Sequence, residues 1–296
     1  VDIMHGEPRS KKQRAASCEG EFGFEDGKLF NTCVSVSPQE LSRYLGKDQA
    51  NAADSRGGAS MTPLMTAAYE GNLRVVRYLI ENEKVDVEAR HTDNSTAFLW
   101  AGYMDECRVL RYLAENAKAN IEAEDLSGRT ALLWAVARGF HRSVRYLVED
   151  AKANVNRACR NGTTPVIYAA DKSNKEVVQC LVEHDADVEI EDKMMRTPLN
   201  VAVGSCCLET VRYLIEHAKA SAHRKTHLGK SLLIYSRDLA LNLPHHKKWE
   251  VVTYLTKLSA RRALNRDLHG LEMLHPAVLE NLVRVGAPAE FEPYGC

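Results

Sequence analysis

The sequence predicts an all-α repeat solenoid of about six helix-turn-helix units, linked by short β-hairpin-like fingers and closed by a capping helix at each end. Three observations carry this. The segments MTPLMTAAYEG, STAFLWAGYMD, RTALLWAVARG, TTPVIYAADKS and RTPLNVAVGSC place Thr62, Thr96, Thr130, Thr164 and Thr197 at intervals of 34, 34, 34 and 33, and a degenerate copy, KSLLIYSRD, puts Ser231 a further 34 on. Each copy is followed by a second apolar helical phrase: VVRYLIEN, VLRYLAEN, SVRYLVED, VVQCLVEH, TVRYLIEH and VVTYLTKL. Apolar residues fall on both faces of each pair, so one unit cannot bury its surface alone and neighbours must stack.

The elements follow in order. Residues 1–32 are polar, charged and Gly-containing, and read as a mobile or irregular arm. The run RSKKQR within them fits a nuclear-import signal, although a solvated basic tail is the commoner explanation. Residues 33–54 form an amino-terminal cap around PQELSRYL at 38–45. Residues 55–259 hold the six repeats. In each, the Thr caps a first helix, with Pro63, Pro165 and Pro198 at the first helical position; a polar turn, a second helix and an extended link such as ANIEAEDLSG follow. The sixth repeat carries an eight-residue insertion between its helices, and Pro244 within it argues against one continuous helix. Residues 260–296 form a degenerate carboxy-terminal cap and tail, NRDLHG echoing AEDLSG.

This pattern resembles the ankyrin repeat, whose T-P-L-H-x-A signature and period near 33 are matched by Thr62-Pro63-Leu64-Met65-Thr66-Ala67 and its equivalents over roughly residues 55–259. The chain departs from the family in its repeat tails. The usual Gly-Ala-Asp-Val-Asn reads AKANIEA, AKANVNR and AKASAHR, with one extra residue and no Gly, whereas HDADVEI lacks the extra residue and accounts for the interval of 33. Loss of the Gly removes the easiest left-handed terminator, so the second helices are expected to end differently in those copies.

The resemblance implies a non-catalytic module that binds protein partners through finger tips and the open face of the first helices, as an adaptor or a subunit of a larger assembly. By position, the partner-binding candidates are His91, Asp93, Ser95, Tyr103, Arg129, Arg138, Arg160, Lys172, Lys193 and Arg196. Trp100, Trp134 and Tyr168 recur at intervals of 34 and are read as packing between first helices, whereas Tyr103 and Arg138 are expected to face a partner. Recruitment of substrates to a ubiquitin ligase, which some members of the family perform, is an alternative; residues 265–296 hold no convincing docking motif for one.

Composition narrows the rest. The 296 residues carry Lys+Arg 39 against Asp+Glu 40, a net charge of −1, so no global attraction to nucleic acid or membrane is expected. Locally the charge is polarised: −6 from Glu81 to Asp125 and +9 from Lys219 to Arg266. The basic residues Arg224, Lys225, Lys230, Lys247, Lys248, Arg261 and Arg262 therefore give a second reading, docking on nucleic acid or an anionic membrane. No apolar run suggests a membrane span and VDIMHGEPRSKKQR lacks the apolar core of a secretory signal; with cysteines that read as reduced thiols, an intracellular protein is expected, most simply cytoplasmic, with nuclear or organellar as the alternatives. The eight cysteines show no CxxC pair and read as reduced thiols. His217, His223, His227, His245 and His246 match no metal-ligand spacing, and no phosphate-binding loop, dinucleotide fingerprint or hydrolase elbow occurs. No catalytic residue, metal or cofactor is expected.

Overall fold

This computed structural model describes residues 61–226, 228–242 and 247–265, with the side chains at 242, 247, 248 and 260–265 outside the description. Among the described residues there are twelve helices and no strand. They are α1 (Pro63–Tyr69), α2 (Leu73–Glu81), α3 (Ala97–Tyr103), α4 (Cys107–Glu115), α5 (Ala131–Ala137), α6 (His141–Arg145), α7 (Pro165–Asp171), α8 (Lys175–Glu183), α9 (Pro198–Gly204), α10 (Leu208–Glu216), α11 (Leu232–Asn242) and α12 (Lys247–Asn265). The helix begun by α6 continues as a π-turn over Tyr146–Asp150. The expected cap at 33–54 lies outside the described residues.

Two units divide this chain. Within the described residues the first takes 61–169 and 176–187, and the second takes 170–175 and everything from 188. In the first, α1 packs on α3 and α3 on α5, while α2, α4 and α6 line up as a second row. In the second, α9 packs on α10 and α11, and α12 on both α10 and α11.

The recurring Thr starts the first helices as its chemistry predicts. Thr62, Thr96, Thr130 and Thr197 have extended backbones, and their hydroxyls accept the N–H three residues on, at 3.3, 3.4, 3.3 and 3.2 Å. Each such cap stabilises by about 1 kcal/mol, and Pro63, Pro165 and Pro198 open their helices where no N–H is needed. The first helices of the first five repeats bury almost every side chain, whereas α11 leaves Ile234 and Leu241 exposed; the second helices bury the apolar residues spaced one and four apart: Val75, Val76 and Leu79, then Val109, Leu110 and Leu113, and their equivalents. Stacking is close at Gly102, where an added Cβ would lie 2.9 Å from the Ala131 Cβ.

Among the described residues five repeats turn through the left-handed region at three places, in strict register. The inter-helix turn does so at Gly71, Asp105, Gly139, Ser173 and Cys206, the end of the second helix at Lys84, Lys118, Lys152, Asp185 and Lys219, and the finger at Asn94, Gly128, Gly162, Met195 and Gly229. Thus the second helices lacking Gly still terminate left-handed, with Lys accepting the conformation. The extra residue is absorbed as a wider closing turn. The N–H groups of Ala119, Ala153 and Ala220 reach back six residues, to Leu113, Leu147 and Leu214, whereas in the 33-residue copy Ala186 reaches back five, to Leu181.

The carboxy-terminal region departs from expectation in two ways. The insertion partly lengthens the first helix, α11 running eleven residues against seven in α9; Pro244 lies outside the described residues. Helix α12 runs nineteen residues, to Asn265, past the expected boundary at 259. Its end, SARRALN, holds Ala, Arg and Leu and no Gly or Pro, so nothing local stops the helix there.

Candidate protein-binding surface

Five links share one hairpin-like closure. In the first unit, His91 donates to the Ser95 carbonyl (2.9 Å), Asp125 to Arg129 (3.1 Å) and Cys159 to Thr163 (3.1 Å); in the second, Asp192 donates to Arg196 (3.1 Å) and Thr226 to Lys230 (2.8 Å). A second backbone bond closes each tip, as from Gly128 to Asp125 (2.9 Å) and from Met195 to Asp192 (2.8 Å). Successive fingers of the first unit are joined by Leu126 donating to the Asp93 carbonyl and Arg160 donating to Ser127, each at 2.8 Å.

Two fingers carry a buried carboxylate. Asp125, 4% exposed, accepts the N–H groups of Ser127 (2.7 Å) and Arg129 (2.9 Å), the Arg129 Nε (3.0 Å) and the Trp134 Nε1 (3.2 Å). The Arg129 guanidinium also lies 3.8 Å from the centre of the Trp134 ring. Asp192 holds Arg196 alike, through its N–H at 2.9 Å and its Nε at 2.8 Å. In the 91–95 finger His91 occupies this position. Its Nδ1 lies 2.7 Å from Asp93 Oδ1, which also accepts the Ser95 N–H at 2.9 Å. Burial pushes the Asp93 carboxyl up, but the bonds from His91 and Ser95 outweigh it and hold the group below its ordinary value. Trp100, lacking an Asp at that place, leaves its indole N–H without an oxygen or nitrogen acceptor.

The aromatic residues form a different ladder from the expected Trp100, Trp134 and Tyr168. Edge-to-face contacts run from Tyr69 to Trp100 (5.7 Å), Trp100 to Tyr103 (5.9 Å) and Tyr103 to Trp134 (5.1 Å). Tyr103, expected on the open face, is therefore buried between the two indoles; it follows Trp100 by three residues and shares its helix face. Arg138 covers it, with its guanidinium 4.6 Å from the ring centre and Nη1 donating to the phenol oxygen at 3.3 Å. Tyr168 is half-exposed.

The other expected partner-facing residues divide the same way. Ser95 is buried, and Arg129 and Arg196 are tied to their own fingers by the carboxylates four residues before them. Arg160, Lys172 and Lys193 are exposed, Lys172 lying 4.0 Å from Asp171. Of the basic group, Arg224 pairs with Glu189 (3.3 Å) and Glu191 (3.1 Å) and Lys230 with Asp238 (2.6 Å), while Lys225 is exposed. The side chains of Lys247, Lys248, Arg261 and Arg262 lie outside the description.

The repeated Arg-Tyr-Leu is explained by the second helices. Arg77 stands 5.3 Å from the ring centre of Tyr112 in the next repeat, and the Tyr112 hydroxyl donates to Glu81 at 2.8 Å. Arg111 stands over Tyr146 at 4.8 Å, and in the second unit Arg212 stands over Tyr254 at 5.4 Å while Tyr254 donates to Glu216 at 2.9 Å. This face is a structural clamp between repeats.

Among the described residues no group of three or more His, Cys, Asp or Glu is placed to hold a metal ion, and no helix is long and apolar enough to cross a membrane. His217 stacks on Tyr213 at 5.3 Å, and Cys207 accepts the Thr210 hydroxyl at 3.2 Å.

A family model of three ankyrin repeats matches residues 38–125, 64–158, 108–192 and 135–226, together more than half of the chain. No curated protein matches it significantly.

Proposed function

Because this chain belongs to the ankyrin-repeat family, whose repeats are generally protein-interaction modules, we propose that it works as an adaptor or as a subunit of a larger assembly, holding a partner protein against its finger tips and the adjoining first-helix face. One observation carries the reading. Leu126, Ser127, Arg160, Asn161, Lys193 and Met194 are exposed on turns whose backbones are closed twice, so the chain beneath them is ordered while their side chains are not needed to hold the stack. A backbone already fixed in space loses little freedom on binding, which makes such turns favourable contact points. Arg138, stacked on Tyr103, adds a guanidinium whose direction is set before a partner arrives.

The test is retention of partners from a native extract by the full chain, by Arg160→Glu with Lys172→Glu, and by Arg145→Glu on the second-helix face as control. The reading expects one set of proteins to be kept by the wild type and the control and lost by the finger variant. Equal retention by all three contradicts it.

A further inference from the structure

We propose that the fingers at 192–196 and 226–230, both in the second unit, dock an extended segment of a partner protein that carries large apolar side chains flanked by carboxylates; this rests on the reading above, that the chain binds protein through its fingers.

The two tips expose the apolar side chains Met194 (58%), Met195 (62%) and Leu228 (56%). Met194 and Leu228 hold the same position of successive fingers, 34 residues apart. The fingers run side by side, since Arg224, in the link that leads into the 226–230 finger, donates to the Glu189 carbonyl at 2.9 Å and pairs with Glu191 at 3.1 Å in the link that leads into the 192–196 finger. Buried, each such side chain contributes about 1.5–3 kcal/mol; exposed, it contributes nothing to this unit.

Backbone strain supplies the second observation. Met195 has φ 57° where the other fingers carry Gly128, Gly162 and Gly229, or Asn94. A non-glycine residue there costs about 1–2 kcal/mol, and Asn tolerates it better than Met because its short polar side chain bonds locally. The Met195 side chain buries little in return, so folding does not account for its presence. A strained residue that the fold does not need points to use elsewhere.

The occupant follows from chemistry. Unbranched thioether side chains adapt to apolar partners of varied shape. Arg196, Arg224 and Lys230 are neutralised by Asp192, by Glu189 and Glu191, and by Asp238. Lys193 and Lys225 are exposed and take part in no ion pair among the described residues, and they match carboxylates beside the apolar contact. Two uncommitted cations, at about 1 kcal/mol each near an anionic bilayer, are few for a membrane dock. No Phe, Tyr or Trp stands in 192–196 or 226–230 to stack a base.

The experiment pans a random peptide library over the full chain and measures the enriched peptides against five proteins: wild type, M195G, M194S/M195G/L228S, K193E/K225E and R160E. Phosphatidylserine vesicles and oligouridylate are run as further probes, and thermal unfolding checks every variant. The proposal expects peptides that combine Leu, Ile, Phe or Met with Asp or Glu, and a loss of affinity of about tenfold or more in the triple variant, the scale set by one well-buried apolar anchor. It expects weakened, less salt-sensitive binding in K193E/K225E. M195G should unfold at a higher temperature than wild type while binding more weakly, a combination that simple damage does not produce. Absence of enrichment, enrichment without acidic residues, equal affinity for wild type and triple variant, or vesicles or RNA captured in place of peptide would each overturn it. Peptides that ignore these changes but lose affinity in R160E would overturn this site and leave finger binding standing.

Discussion

The phenol of Tyr112 donates to Glu81 of the preceding repeat at 2.8 Å, with Arg77 of that same repeat stacked on its ring. Burial first, and this bond second, push the Tyr112 pKa from 10.0 up to about 12. Folding thus favours the protonated phenol. The stability it contributes is fully present below pH 10.0 and is lost as pH rises toward about 12. Tyr112→Phe should cost about 1 kcal/mol at neutral pH by denaturant unfolding and flatten the alkaline fall. In a double-mutant cycle with Glu81→Gln, the coupling should be about 0.5–1.5 kcal/mol.

Asp125 is the acceptor for two side chains and two backbone N–H groups, so its removal takes the shared carboxylate from Arg129 and Trp134 together. Asp125→Ala should destabilise by about 3–5 kcal/mol. Arg129→Ala should also destabilise, which disqualifies Arg129 as a clean probe of partner contact. Chemical denaturation followed by far-ultraviolet circular dichroism reads both.

At Gly102 any side chain meets Ala131 of the next first helix, with the added Cβ 2.9 Å from the Ala131 Cβ. Gly102→Ala, ordinarily helix-favouring, should here cost about 1–3 kcal/mol because two helices must separate. The Ala131→Gly change made alongside should recover part of the loss in thermal unfolding.

Lys118 ends a second helix at φ 56°. Lys118→Gly removes about 1–2 kcal/mol of left-handed strain and adds about 0.5–1 kcal/mol of unfolded-state entropy. The net expectation is a gain of about 0.5–1 kcal/mol, visible as a raised denaturant midpoint with unchanged slope.

The period, the Thr caps and the apolar second-helix pattern were legible because each is a local rule repeated in register. The expected change at the helix ends was also legible, but its form was not. Missing Gly suggested a new terminator, whereas Lys118 and its equivalents keep the old conformation and the extra residue widens the closing turn instead. Tyr103 was misplaced because its burial depends on two indoles from different repeats, a tertiary fact that spacing does not carry. Arg129 and Arg196 looked available at finger tips, yet in DLSGR and DKMMR the Asp four residues earlier is the signal that each is held at home. The recurring Arg-Tyr-Leu was visible, while its meaning required the Glu of the preceding repeat.

Amide hydrogen exchange on the full chain, alone and with a partner recovered by the wild type and lost by the finger variant, tests the central claim most directly. The account predicts added protection at finger and first-helix peptides, such as 125–138, 159–169 and 192–196, with α2, α4 and α10 unchanged. Protection confined to those second helices, with the fingers unaltered, would contradict it.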